Sequence, residues 1–158
     1  MRLLIIEDDK LLNSTLVFNL SSFGYMIDSA MTKQEAENFY KNVRYIRTGF
    51  KAFQLLGVIP NDVPAFIVSA GPSLSKNIKE LKRAKNKSFI IAVDTAIKPL
   101  LGEGIEPDMF ATLDGIKPLE LVDINQAKEI PLLTVVRAAH YILDYHKVFP
   151  DDIVLDGK

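Results

Sequence analysis

The chain has 158 residues, of which 25% are charged and 48% hydrophobic, with a net charge of −1, no cysteine and two histidines. That length holds one well-buried domain, or one domain and part of another, and so balanced a charge gives no long-range pull toward nucleic acid or an anionic membrane. Disulfides and thiolate metal sites are excluded, and His140 and His146 are not neighbours on a helical face, so they do not suit a zinc pair.

Leu3–Ile6 reads as a buried strand. With Glu7-Asp8-Asp9 behind it, the run has neither the layout of a secretion signal nor the length to span a bilayer, so a cytoplasmic protein is expected. Lys10–Phe23 reads as a helix with Leu11, Leu12, Thr15, Leu16, Asn19, Leu20 and Phe23 on its inner side, stopped by Gly24. Tyr25–Ala30 reads as a second strand. Thr32 and Glu35 form a capping-box pattern that opens a helix to about Tyr40.

Lys41–Gly57 then carries four cations and no acid, with Ile46, Phe50 and Phe53 at helical spacing, and reads as a connecting helix. Pro60-Asn61-Asp62-Val63-Pro64 is turn-rich and marks a joint. Beyond it the alternation resumes: strand 65–70, helix 73–84, strand 89–93, helix 96–102, strand 109–113, a helix near 119–128, strand 132–136, a helix around 138–146 and a last strand 153–155. Strands alternating with helices predict an α/β protein, a three-layer Rossmann-like fold with a mostly parallel sheet flanked by helices. The expected division is a β-α-β-α unit over 1–40, a helical connector over 41–64 and a second unit over 65–158. Pairing of both units' strands in one composite sheet would cover their open edges.

In such sheets ligands bind outside the carboxyl ends of the strands. Four successive predicted strands deliver chemistry there: Gly71-Pro72-Ser73, then Asp94-Thr95, then Asp114-Gly115, then Arg137. Gly71 lets the backbone approach a ligand, Pro72 is pre-set for a first helical turn, and the free amides of that turn attract phosphate. A carboxylate from Asp94 or Asp114 suits a ribose hydroxyl or a base, and Arg137 suits an anionic group. Each has a plainer role as well: Asp94 as a helix cap, Asp114-Gly115 as a turn pair. Catalytic residues are not identified, although His140 follows Arg137 closely enough to reach the same rim. At the other end of the chain, Glu7 and Asp8 at a strand's carboxyl end suit Mg²⁺, while Asp9 suits the N-cap of the following helix.

Pro64-Ala65-Phe66-Ile67-Val68-Ser69-Ala70-Gly71-Pro72-Ser73-Leu74, Ile90-Ile91-Ala92-Val93-Asp94-Thr95-Ala96, Gly104-Ile105-Glu106-Pro107-Asp108 and Thr112-Leu113-Asp114 together resemble the motility-associated factor (Maf) family, which shares a domain with MptE-like pterin diphosphokinases. The resemblance covers residues 43–158, an incomplete part of that family's length. It implies a Rossmann-like, sialyltransferase-related core that binds a nucleotide-activated sugar of the CMP-nonulosonate type, with Gly71, Pro72, Ser73, Asp94, Thr95 and Asp114 in the site and Arg137 joining them by its place at a strand end. It also implies a role in motility through glycosylation of flagellin.

Arg2-Leu3-Leu4-Ile5-Ile6-Glu7-Asp8-Asp9, with the β-α-β-α pattern behind it, is similar to the first half of a response-regulator receiver domain. That similarity implies Mg²⁺ held by Glu7 and Asp8 and a histidine kinase as phosphorelay partner. The receiver's phosphoacceptor aspartate would fall near Lys51, and no acid lies between Glu37 and Asp62. A non-catalytic interaction protein is the third reading. Neither nucleic acid nor a membrane is an expected partner.

Overall fold

The computed structural model describes residues 1–47, 54, 57, 59–122, 124–146 and 153–155. The expected α/β alternation is present. In the N-terminal part, strand β1 (Arg2–Ile6) leads through helix α1 (Lys10–Ser22) to strand β2 (Met26–Ala30) and helix α2 (Lys33–Asn42), followed by a 3-10 segment at Val43–Arg47. In the larger part, β3 (Ala65–Ser69), α3 (Pro72–Ala84), β4 (Phe89–Val93), α4 (Ile97–Gly102), β5 (Met109–Thr112), α5 (Ile124–Ala127), β6 (Leu132–Val135), α6 (His140–His146) and β7 (Ile153–Leu155) follow in turn. Most of the helix expected over Lys41–Gly57 lies outside the described residues. The helix expected near 119–128 is a 3-10 turn at Leu119–Leu121 and the single α-turn of α5.

Local chemistry explains the helix boundaries. Asp9 caps α1 by accepting the Leu12 amide at 2.8 Å, and Gly24, in the left-handed region at φ 81°, lets the chain reverse after it. Thr32 accepts the Glu35 amide at 3.1 Å while the Glu35 carboxylate accepts the Met31 amide at 2.6 Å, a capping box reaching one residue further back than usual.

The strands form two parallel sheets, not one composite sheet: β1-β2, and β3-β4-β5-β6-β7 in sequential order. Right-handed crossovers in a sequential sheet place their helices on one face. The register agrees, since Ala92, Phe110 and Leu132 stand side by side on adjacent strands and all are buried. They pack with Leu74 of α3, Ile97 and Leu100 of α4, Ala127 of α5 and Ile142 and Leu143 of α6 in one core. On the opposite face Ile67 is 74% exposed.

The small sheet is held differently. Arg2 and Asp28 form a partly buried ion pair across β1 and β2, with a second hydrogen bond of 2.9 Å. The expected inner side of α1 is corrected here. Two strands cannot cover a wide helix face, so Asn13, Leu16, Val17 and Leu20 turn inward while Leu11, Leu12, Phe18 and Phe23 stay in solvent. No helix among the described residues is long and apolar enough to cross a membrane.

Stability should therefore reside in the five-stranded sheet. Phe110→Ala, at a fully buried position, is expected to cost about 3–5 kcal/mol in urea unfolding, whereas Phe18→Ala, at a 75% exposed one, should change stability by less than ~0.5 kcal/mol.

Candidate functional site

Parallel pairing puts the carboxyl ends of all five strands of the larger sheet at one rim, and adjacent strands stand about 4.8 Å apart. Gly71-Pro72-Ser73 after β3, Asp94-Thr95 after β4, Asp114-Gly115 after β5 and Arg137 after β6 consequently follow one another along that rim.

At its first position Pro72 opens α3, and no side chain caps the helix. The Leu74 amide folds back to the Gly71 carbonyl at 3.0 Å. Gly71 itself is extended, and no atom lies within 4 Å of where its Cβ would stand, so neither backbone nor packing demands glycine there.

Asp94 adopts φ 47°, in the left-handed region that costs most side chains free energy. Its carboxylate accepts from Thr112 Oγ1 at 2.9 Å, and Thr134 Oγ1 donates to the Thr112 carbonyl at 2.9 Å. Two fully buried threonines on β5 and β6 thus form a polar ladder ending at Asp94. The 3-10 turn at Asp94–Ala96 has Val93 as its N-cap, so the capping role weighed for Asp94 is not the one it plays.

Asp114 accepts the Ile116 amide at 2.9 Å and pairs with Lys117 at 3.3 Å. That amide first, and the Lys117 ammonium second, hold its carboxyl below the usual range. Arg137 is exposed, and its guanidinium donates to the Ser29 carbonyl of β2 at 3.4 Å. Asp108, from the same sequence block as Gly104-Ile105, lies at the opposite end of the strands. It accepts the Ile90 amide at 2.8 Å and pairs with Lys85 at 3.1 Å, a structural role.

A family model described as 6-hydroxymethylpterin diphosphokinase MptE-like matches residues 37–149, well over half of the chain. The chain belongs to the MptE-like family. A solved structure described as MAf glycosyltransferase from Magnetospirillum magneticum AMB-1 aligns with a TM-score of 0.54 at 19% identity, over 79% of this chain. That likeness shows a shared fold. The aligned part amounts to 20% of the length of the Magnetospirillum protein. No curated protein matches the chain.

The MptE-like match begins inside α2 and not at Val43, and it takes in two asparagines that the sequence reading passed over. Asn38 and Asn42 are both fully buried. Asn38 Nδ2 donates to the carbonyls of Gly115 at 2.9 Å and Arg137 at 3.2 Å. Asn42 Nδ2 donates to those of Val136 at 3.0 Å and Ala138 at 2.8 Å. His140 turns toward α2 as well, with Nδ1 at 2.9 Å from Asn38 Oδ1 and Nε2 at 3.0 Å from Lys41 Nζ. The available signal was a pair of poor helix formers one turn apart in a short helix, a placement that usually needs specific partners.

Glu7 and Asp8 follow β1 at the carboxyl end of the small sheet, where the Glu7 amide donates to the Ala30 carbonyl at 3.0 Å, one residue from the Ser29 carbonyl that Arg137 reaches. They line a cleft of about 650 Å³ between the end of β1 and α2, with Thr32, Glu37, Tyr40 and Lys41. One oxygen of Glu7 takes the Asp9 amide at 3.0 Å, while Asp9 is occupied as the α1 cap. Among the described residues no group of three or more acids or histidines comes together to hold a metal. The cleft and the rim belong to different sheets, and α2 borders both.

Asp94 and Asp114 should respond differently to substitution. Asp94→Ala keeps the strained backbone and leaves Thr112 Oγ1 without its acceptor, an expected loss of about 1–3 kcal/mol, whereas Asp94→Gly removes the strain and should recover roughly 1 kcal/mol of it in thermal unfolding. For Asp114 the folded value lies below the unfolded one. Its contribution is thus present above the ordinary aspartate range and lost as pH falls through the lowered value, so Asp114→Asn should flatten the fall in stability below about pH 4.

Proposed function

We propose that the rim binds a nucleotide-activated sugar and that the chain is a glycosyltransferase-type donor-binding domain. In this reading the Ser73 amide and hydroxyl at the start of α3 hold phosphate oxygens, with Gly71 leaving room for their approach. Asp94 and Asp114, with Thr95 beside them, take the ribose or base, and Arg137 pairs with an anionic group on the donor. The supporting observation is the strained Asp94, held by the buried Thr112 and one strand away from the uncapped α3 turn. Backbone strain kept at a strand's carboxyl end is a mark of functional sites. The family match and the fold shared with a Maf glycosyltransferase support the same class, and the finer assignment is a CMP-nonulosonate donor with a flagellin-type acceptor.

Calorimetric titration with CMP, CMP-sialic acid and ATP separates this donor class from the nucleotide triphosphate suggested by a diphosphokinase. Saturable binding of the cytidine ligands is expected, weakened about tenfold, ~1.4 kcal/mol, by Ser73→Ala. Absence of binding to folded protein at millimolar ligand would overturn the reading.

A second reading rests on the cleft between β1 and α2. In it Glu7 and Asp8, at the end of the first strand of a parallel β1-α1-β2 unit, would hold Mg²⁺ as the receiver resemblance implies. The position for a phosphoacceptor, near Lys51, lies outside the described residues. Without such a carboxylate, acetyl phosphate with Mg²⁺ should leave the intact mass unchanged; an added phosphoryl group on an aspartate would favour phosphorelay signalling over the donor-binding reading.

A further inference from the structure

If the rim is a nucleotide site, as proposed, the loops that carry Asp114 and Arg137 must be held in place. Both follow short strands, β5 (Met109–Thr112) and β6 (Leu132–Val135), and both turn sharply into 3-10 or helical segments. Within the second loop the carbonyls of residues 136, 137 and 138 are consecutive, and each accepts a side-chain amide from α2. The first loop is tied to the second twice: by Asn38, which spans the Gly115 and Arg137 carbonyls, and by the Ala139 amide, which donates to the Asp114 carbonyl at 2.9 Å. Gly115 fits closely under this bridge. A Cβ there would stand 3.2 Å from the Arg137 carbonyl and 3.4 Å from Asn38 Nδ2.

We infer that Asn38 and Asn42 are positioning residues of the nucleotide-binding rim, one turn apart on α2, whose amides lock the Asp114 and Arg137 loops in register. The burial and the donor–acceptor pattern carry this. Both side chains are fully buried, and four hydrogen bonds leave their two Nδ2 groups toward rim carbonyls. An asparagine supplies two donors on one planar nitrogen, which lets it bridge two carbonyls that no single hydroxyl could serve. The oxygen ends differ. Asn38 Oδ1 accepts from Gln34 and from His140, whereas Asn42 Oδ1 has no partner among the described residues, where its donor side makes the contacts. α2 is in this sense a wall of the site, although it precedes the strand sequence that forms the sheet.

Asn38→Asp and Asn42→Asp retain shape and replace the bridging donors by acceptors, and Gly115→Ala presses on the same bridge with both asparagines intact. Each is compared with wild type for CMP affinity by calorimetry and for melting temperature. Ile105→Val, a buried change in the turn between α4 and β5, serves as a control for lost stability. The expected result is CMP affinity reduced roughly tenfold or more in the Asp variants, and reduced in Gly115→Ala, with the Ile105→Val affinity unchanged despite its lower melting temperature. Should the Asp variants fail to fold, Gly115→Ala decides alone. Wild-type affinity in folded variants overturns the inference and leaves the rim reading standing, while no CMP binding by wild type overturns that reading and the inference with it.

Discussion

Everything at the rim depends on the sequential order of a five-stranded parallel sheet. Because neighbouring strands are also neighbours in the chain, each carboxyl end delivers its loop beside the previous one. Residues far apart in sequence, from Gly71 to Arg137, are thereby lined up along a single edge. The buried faces of β4, β5 and β6 then fix the register, since Ile90, Phe110 and Leu132 fit only if these strands pair as they do.

The buried threonines of β5 and β6 and the asparagines of α2 send their hydrogen bonds toward the rim. Thr134 and Thr112 are buried in strands, where an aliphatic residue would pack as well, and their hydroxyls lead to Asp94. Asn38 and Asn42 act similarly from α2. Each costs desolvation that its hydrogen bonds offset, those of Asn42 from its donor side. Their common direction, toward loops at the strands' carboxyl ends, is the reason the rim reads as a site.

The larger unit was legible in the sequence because its strands are short apolar runs ended by chemically distinct residues. Gly71-Pro72-Ser73, Asp94 and Asp114 announced the rim before any coordinate. The N-terminal unit was less legible. The apolar pattern of α1 predicts one inner face, but a two-stranded sheet covers too little of it, and Leu11 and Phe23 remain outside. Strand periodicity also carries no information about which sheet a strand joins, so the composite sheet could be imagined but not tested. The asparagines of α2 were invisible for a different reason: their partners are backbone carbonyls roughly a hundred residues away, and carbonyls have no letter in the sequence.

The most direct test of the account is the pattern of backbone amide shifts when CMP is added to ¹⁵N-labelled protein. The account predicts concentration-dependent shifts at Ser73, Leu74, Asp94, Thr95 and Gly115, the amides of adjacent loops on one edge of the sheet. Shifts confined to Glu7, Asp8 and the residues of α2 that face the other cleft, or no shifts in a folded protein, would contradict it.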